Sequence, residues 1–135
     1  MHFALNAHLL SPVAGYRQAG VSSYIHHLAQ HLWPHTPADR WTVYAPPAVT
    51  RALLAAPDQV RLRNSRLPTT KPLARIAWEQ LIAPAVLLRD RPDVLLCPLN
   101  VVPLFTPCPT VVTIHDLAFL RFNLHTPAKR RYLTV

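Results

Sequence analysis

Asp93-Val94-Leu95-Leu96-Cys97 and Thr110-Val111-Val112-Thr113-Ile114 are two short runs rich in Val, Leu and Ile, with little alternation of apolar and polar residues. A strand with one face in water alternates with a period of two, so these runs read as central strands of a parallel sheet, covered on both faces. Parallel neighbours need long crossovers, usually helical, so helices are expected between such strands. Working outward, residues 73–88 carry a helical pattern that Pro84 should kink or split. Residues 59–63 and 41–45 read as strands, and residues 49–56 as a short helix. Over residues 21–32, Val21, Tyr24, Ile25, Leu28, Ala29 and Leu32 fall on one arc of a helix that Pro34 should stop. Residues 3–6 form a first strand, residues 98–109 with their four prolines a loop, and residues 127–135 the opening of a further helix. The order predicts an α/β protein with an open, doubly wound, mostly parallel sheet and helices on both faces.

Composition bounds what such a sheet serves. The 135 residues are 50% hydrophobic and 8% aromatic, the profile of one compact domain rather than a disordered tail. No apolar run approaches the roughly 18 residues that cross a bilayer. The first residues lack a charged region and a cleavage site of secretory type, so the chain is expected to stay in the cytoplasm. Cys97 and Cys108 then read as free thiols. A formal charge of +8 suits an anionic partner: nucleic acid, an anionic membrane face or a phosphorylated small molecule. The 12 Arg and 2 Lys are scattered rather than massed in an arm, and the six acids include no Asp-x-Asp pair to hold a divalent metal against a diphosphate.

In sheets of this kind ligands bind beyond the carboxyl ends of the strands, so the loops after strands carry the chemistry. The first loop ends at Gly20-Val21-Ser22-Ser23-Tyr24 and runs into a helix, offering unpaired N–H groups and the positive end of a helix dipole: a phosphate seat, with Arg17 in the same loop. It is neither Gly-x-Gly-x-x-Gly nor a P-loop, and a plain turn before a helix is the other reading. The run ending at Ile114 delivers His115 and Asp116 to the same edge. A histidine there can hydrogen-bond a sugar hydroxyl or a phosphate oxygen, or shuttle a proton; equally, its ring can cap a backbone group. Asp116 reads also as a turn cap. His27 and His31, four apart on a polar helix face with no nearby carboxylate or cysteine, read as solvated surface, and Ser22 and Ser23 lack a nucleophile elbow.

Several of these stretches together resemble a known family. Phe3-Ala4-Leu5-Asn6-Ala7-His8-Leu9-Leu10, Gly15-Tyr16-Arg17-Gln18-Ala19-Gly20-Val21-Ser22-Ser23-Tyr24-Ile25 and Pro109-Thr110-Val111-Val112-Thr113-Ile114-His115-Asp116-Leu117, followed by Arg121-Phe122, are similar to the N-terminal domain of family 4 glycosyltransferases, the retaining GT-B enzymes. Trp78-Glu79-Gln80 and Pro98-Leu99-Asn100-Val101-Val102-Pro103-Leu104 resemble that family's segments between the third and fifth strands. The resemblance implies the N-terminal half of an architecture of two Rossmann-like domains facing a cleft, one serving the acceptor and the other gripping a nucleotide-sugar.

By the same likeness His115 is the catalytic candidate, beside the donor sugar, and Gly20 and Ser22 open a helix against the donor diphosphate. Asn100, Asp116 and Arg121 are candidates for shaping the acceptor pocket. The implied partners are a nucleotide-sugar donor and a glycan or lipid-linked acceptor, with no cofactor and no metal. Peripheral contact with the inner face of a membrane, through Arg-bearing helices such as that over residues 73–89, is compatible with lipid-linked acceptors. The family's nucleotide-holding residues belong to a second domain, and Val135 comes before any such domain. The expectation is an incomplete acceptor-side domain, inactive alone. A non-catalytic partner subunit of the same fold and a basic nucleic-acid-binding module are the rival readings, the latter weakened by Trp33, Trp41 and Trp78 in core-facing patterns.

Overall fold

The computed structural model describes residues 1–11, 20–99 and 101–115. They form a five-stranded, all-parallel sheet with helices on its faces, consistent with a Rossmann-like α/β fold. In chain order the elements are β1 (His2–Asn6), α1 (Val21–His35), β2 (Arg40–Ala45), β3 (Val60–Asn64), α2 (Pro72–Ala77), α3 (Ala83–Asp90), β4 (Val94–Cys97) and β5 (Thr110–Val112), with a π-helical turn, Trp78–Ile82, joining α2 to α3. The strand order is β3-β2-β1-β4-β5. The chain therefore builds outward from β1 on one side, crosses over, and builds outward on the other, which leaves a topological switch between β1 and β4.

Side-chain alternation sorts the strands onto two cores. Leu5, Trp41, Val43, Ala45 and Val60 face α1, packing on Ile25, Ala29 and Trp33. Ala4, Tyr44, Leu95 and Cys97 face the other way, against Trp78, Ala83 and Leu87. Both indole N–H groups of the first core find acceptors, Trp33 on the Leu54 carbonyl at 3.1 Å and Trp41 on the Thr36 hydroxyl at 3.0 Å. The rings stay fully inside without an orphaned donor.

Four expectations are revised. The arc of α1 that is buried runs through Ser22, Ile25, Ala29 and Trp33, while Tyr24 is 37% exposed. Pro34 does not end α1, which closes one residue later. Pro34 is exposed, so the carbonyl it leaves unpaired lies at the solvent side, and the Thr36 hydroxyl caps the Leu32 carbonyl at 2.8 Å. Residues 49–56 form turns rather than a helix. Ala55 has a positive φ of 45°, and Ala56 N–H reaches back five residues to the Arg51 carbonyl. Thr110–Val112 is not a central strand among the described residues but stands at the sheet edge, with Val111 and Ile114 58% and 62% exposed. An unalternating run tells that both faces are apolar, not what covers them.

At Pro84 the helical stretch is divided, as expected, into two α-helical pieces, α2 and α3. The chain passes from α2 through the π-turn into α3, with Ala83 N–H bonded to the Trp78 carbonyl five residues back. The wider turn makes room for a proline ring that would otherwise strike the carbonyl four residues earlier. Its consequence lies at the site, because Trp78 and Glu79 are both buried by it.

Candidate functional site

The carboxyl ends of β1, β4 and β5 converge with the start of α1 and the π-turn. β1 delivers Asn6 and His8; β4 delivers Cys97 and Pro98; the chain after β5 delivers Thr113 and His115. Pairing of β1 to β4 in register, Leu5 opposite Leu96, sets the first two groups side by side at the switch point.

His115 is held from two directions. Its Nε2 donates to the Pro98 carbonyl at 2.9 Å, since a carbonyl only accepts. The ring meets Tyr24 edge-on, with centroids 5.0 Å apart and planes at 88°. The Tyr24 hydroxyl shares a hydrogen bond of 3.3 Å with the Thr113 hydroxyl, and Tyr24 N–H closes the first turn of α1 on the Gly20 carbonyl at 2.9 Å. Tyr24 thus joins the glycine-opened helix start to the end of β5. His115 thus caps a backbone group, the second of its two sequence readings, while its ring lies against the first turn of α1.

Gly20 takes φ 66° and ψ −115° at the helix entry, with no side chain capping the first turn. A Cβ there would meet nothing within 4 Å, so glycine is required by the backbone angle and the space before it is open. Ser22 is 3% exposed, and its hydroxyl accepts from Ser11 N–H at 2.9 Å, pinning the loop after β1 to the helix. It also lines a cavity of about 330 Å³ with Ser11, Ser23 and His26. Arg17, Asn100, Asp116 and Arg121 lie outside the described residues.

Beneath this rim is a buried polar cluster that the sequence reading did not single out. His8 is 1% exposed; its Nδ1 shares a proton with the Thr69 hydroxyl at 3.0 Å and its ring packs on Trp78 at a centroid distance of 3.9 Å. Its Nε2 is buried with no hydrogen-bond partner among the described residues. Burial, with a smaller contribution from the Arg75 charge, lowers the His8 pKa to about 3, so the ring is neutral at ordinary pH. Asn6 Nδ2 donates to Glu79 Oε1 at 3.5 Å, and Arg75 stands 3.9 Å from the same oxygen. Burial first, and the Glu79 charge second, push the Cys97 thiol up to about 12, against a smaller opposing effect of the Asn6 side chain. Cys97 is therefore an inert thiol rather than a nucleophile. Gln80 clamps the loop after β4, donating to the Val102 carbonyl at 3.2 Å and accepting from Leu104 N–H at 2.9 Å. His8 was legible by the argument that selects His115, a histidine just past a buried strand. Glu79 and Gln80 depend on the π-turn, for which the sequence has no clear sign.

The fold and the site define a parallel α/β domain with polar side chains gathered near its topological switch, beside a helix start and a histidine that follows a strand. Comparison with protein-family models, with curated proteins and with solved structures finds no match to this chain. Among the described residues no helix is long and apolar enough to cross a membrane.

Proposed function

We propose that the chain is the acceptor-side portion of a retaining, metal-independent glycosyltransferase of GT-B type, acting between a nucleotide-sugar and a glycan or lipid-linked acceptor. The observation that carries the reading is the junction made by Tyr24, which sets the Gly20 helix entry and the His115 ring on one edge of the sheet. That edge is where open α/β sheets take their ligands. Its parts have the right chemistry for a sugar diphosphate: a helix start for anionic oxygens, an imidazole able to hydrogen-bond a hydroxyl or a phosphate oxygen, and an aromatic ring to hold the imidazole in place. In this reading His115 touches the reacting sugar, and Gly20 and Ser22 form the floor of the diphosphate seat. Asn6 and Gln80 act as positioning residues, fixing the ends of β1 and of the loop after β4. Charge on the departing diphosphate is offset by the helix start and basic side chains, with no metal step. Peripheral contact with a membrane surface belongs to the same proposal.

The test is ligand mapping on the chain itself. A ¹⁵N-labelled sample is titrated with a panel of nucleotide-sugars and oligosaccharides, following backbone amides. The expected result is saturable shifts at Gly20–Tyr24 and at His115 for at least one member, lost in His115→Ala. Shifts confined to other parts of the sheet, or none at millimolar ligand, would overturn the proposal.

A further inference from the structure

The sheet face that carries helix 72–90 is only partly covered. That helix sits over Ala4, Leu95 and Cys97, toward β1 and β4, and its flank leaves the β2–β3 side open. Strand register puts Thr42 opposite Arg61 and Tyr44 opposite Arg63 on this same face. Two cavities of about 240 Å³ each lie along it. One is lined by Arg63, Arg66 and Arg89 with Tyr44 and Trp78 as its apolar wall, and the other by Arg40, Arg61 and Arg89 with Asp90. Arg89 borders both, so the two form one groove.

The charge in this groove is unbalanced. Five arginines line it against one acid, Asp90. That carboxylate is already engaged, accepting from the Tyr44 hydroxyl at 2.9 Å and pairing with Arg63 at 2.8 Å and Arg89 at 3.3 Å. Arg63 Nε is buried and has no hydrogen-bond partner among the described residues. Arg61 and Arg63, two residues apart on one strand, have their Cα atoms roughly 6.6 Å apart. The guanidinium is permanently charged and presents a fork that fits phosphate oxygens.

We propose that this groove is an anion site distinct from the cluster at the switch point, and that it takes a soluble ligand carrying two or more phosphate groups. The groove is concave, which suits a compact anion rather than a bilayer surface. Its Tyr and Trp residues, Trp41, Tyr44 and Trp78, are 2%, 2% and 6% exposed, so it has no platform on which nucleic-acid bases could stack. The proposal goes beyond the transferase reading and stands or falls separately from it.

The full 135-residue chain is titrated calorimetrically with sodium tripolyphosphate and, in parallel, with inorganic phosphate. The expected result is saturable binding of tripolyphosphate, stronger than that of phosphate. The double variant Arg61→Gln/Arg89→Gln, at two exposed positions, should weaken it about tenfold or more, and Lys71→Gln outside the groove should leave it unchanged. Circular dichroism checks that the variants fold. Absence of binding, or equal affinity in the double variant, overturns the proposal. So does tighter binding, through the same two arginines, of vesicles containing phosphatidylglycerol or of a single-stranded oligonucleotide.

Discussion

The Tyr24 and His115 rings stand nearly perpendicular, at 88°, with centroids 5.0 Å apart, so a residue in the first turn of α1 packs on one just past the end of β5. Such aromatic pairs contribute about 0.5–1.5 kcal/mol beyond the area they bury. Tyr24→Phe keeps the ring contact and drops only the exposed hydroxyl bond to Thr113, so the His115 ring signals should hardly move in NMR spectra. Tyr24→Ala should shift them, with a loss of stability of about 1 kcal/mol in urea unfolding. Equal effects of the two variants would mean that the hydroxyl bond, not the ring, sets His115.

Gly20 is at φ 66° with open space about its missing side chain. Gly20→Ala should therefore cost about 1–2 kcal/mol through backbone strain alone, with no clash to relieve. The measurement is the urea midpoint with an unchanged m-value. A cost near zero would show that the helix entry can relax to a negative φ.

His8 gives a signed pH dependence. An unfolded histidine takes its proton near 6.5 and folded His8 only near 3, so between those values the unfolded chain binds the extra proton. Its contribution to stability is complete above pH 6.5 and is lost progressively as pH falls toward 3, with a slope of up to about 1.4 kcal/mol per pH unit. His8→Leu should flatten the unfolding free energy over that window. In the unaltered protein, the His8 ring signals should not titrate between pH 8 and about 5.

Gln80 holds two backbone groups of the loop after β4. Gln80→Ala should raise the hydrogen-exchange rate of the Leu104 amide by about tenfold or more, since a backbone donor loses its acceptor, while amides of β1 and β2 keep their protection. A loop that stays equally protected would show that its prolines, not Gln80, hold it.

Four strands, β1 through β4, were legible to within about one residue, β1 and β4 as short apolar runs and β2 and β3 by alternation, each bounded by Pro, Asn or Asp. The proline signals were less faithful. Pro34 sits on the solvent side of a last turn that absorbs it, whereas at Pro84 the α-helical stretch does divide, by way of a π-turn that the sequence does not announce. Tyr24 was assigned to the core arc of α1 because it is aromatic and in phase. It lies on the rim, because Ser22 and Ile25 take the buried side.

What the sequence alone determined is the class of the molecule: strand and helix periods in alternation, with glycine and histidine at the ends of elements, leave little but a parallel doubly wound sheet. Strand order, and therefore which ends meet, was decided only in three dimensions, since pairing β1 with β4 brings together residues some 90 positions apart in the chain, His2 N–H on Asp93 among them. The same holds for the arginines of β2, β3 and α3. They look scattered along the chain and become one groove because strand register and the lie of a helix, neither of which is a local property, put them on a common face.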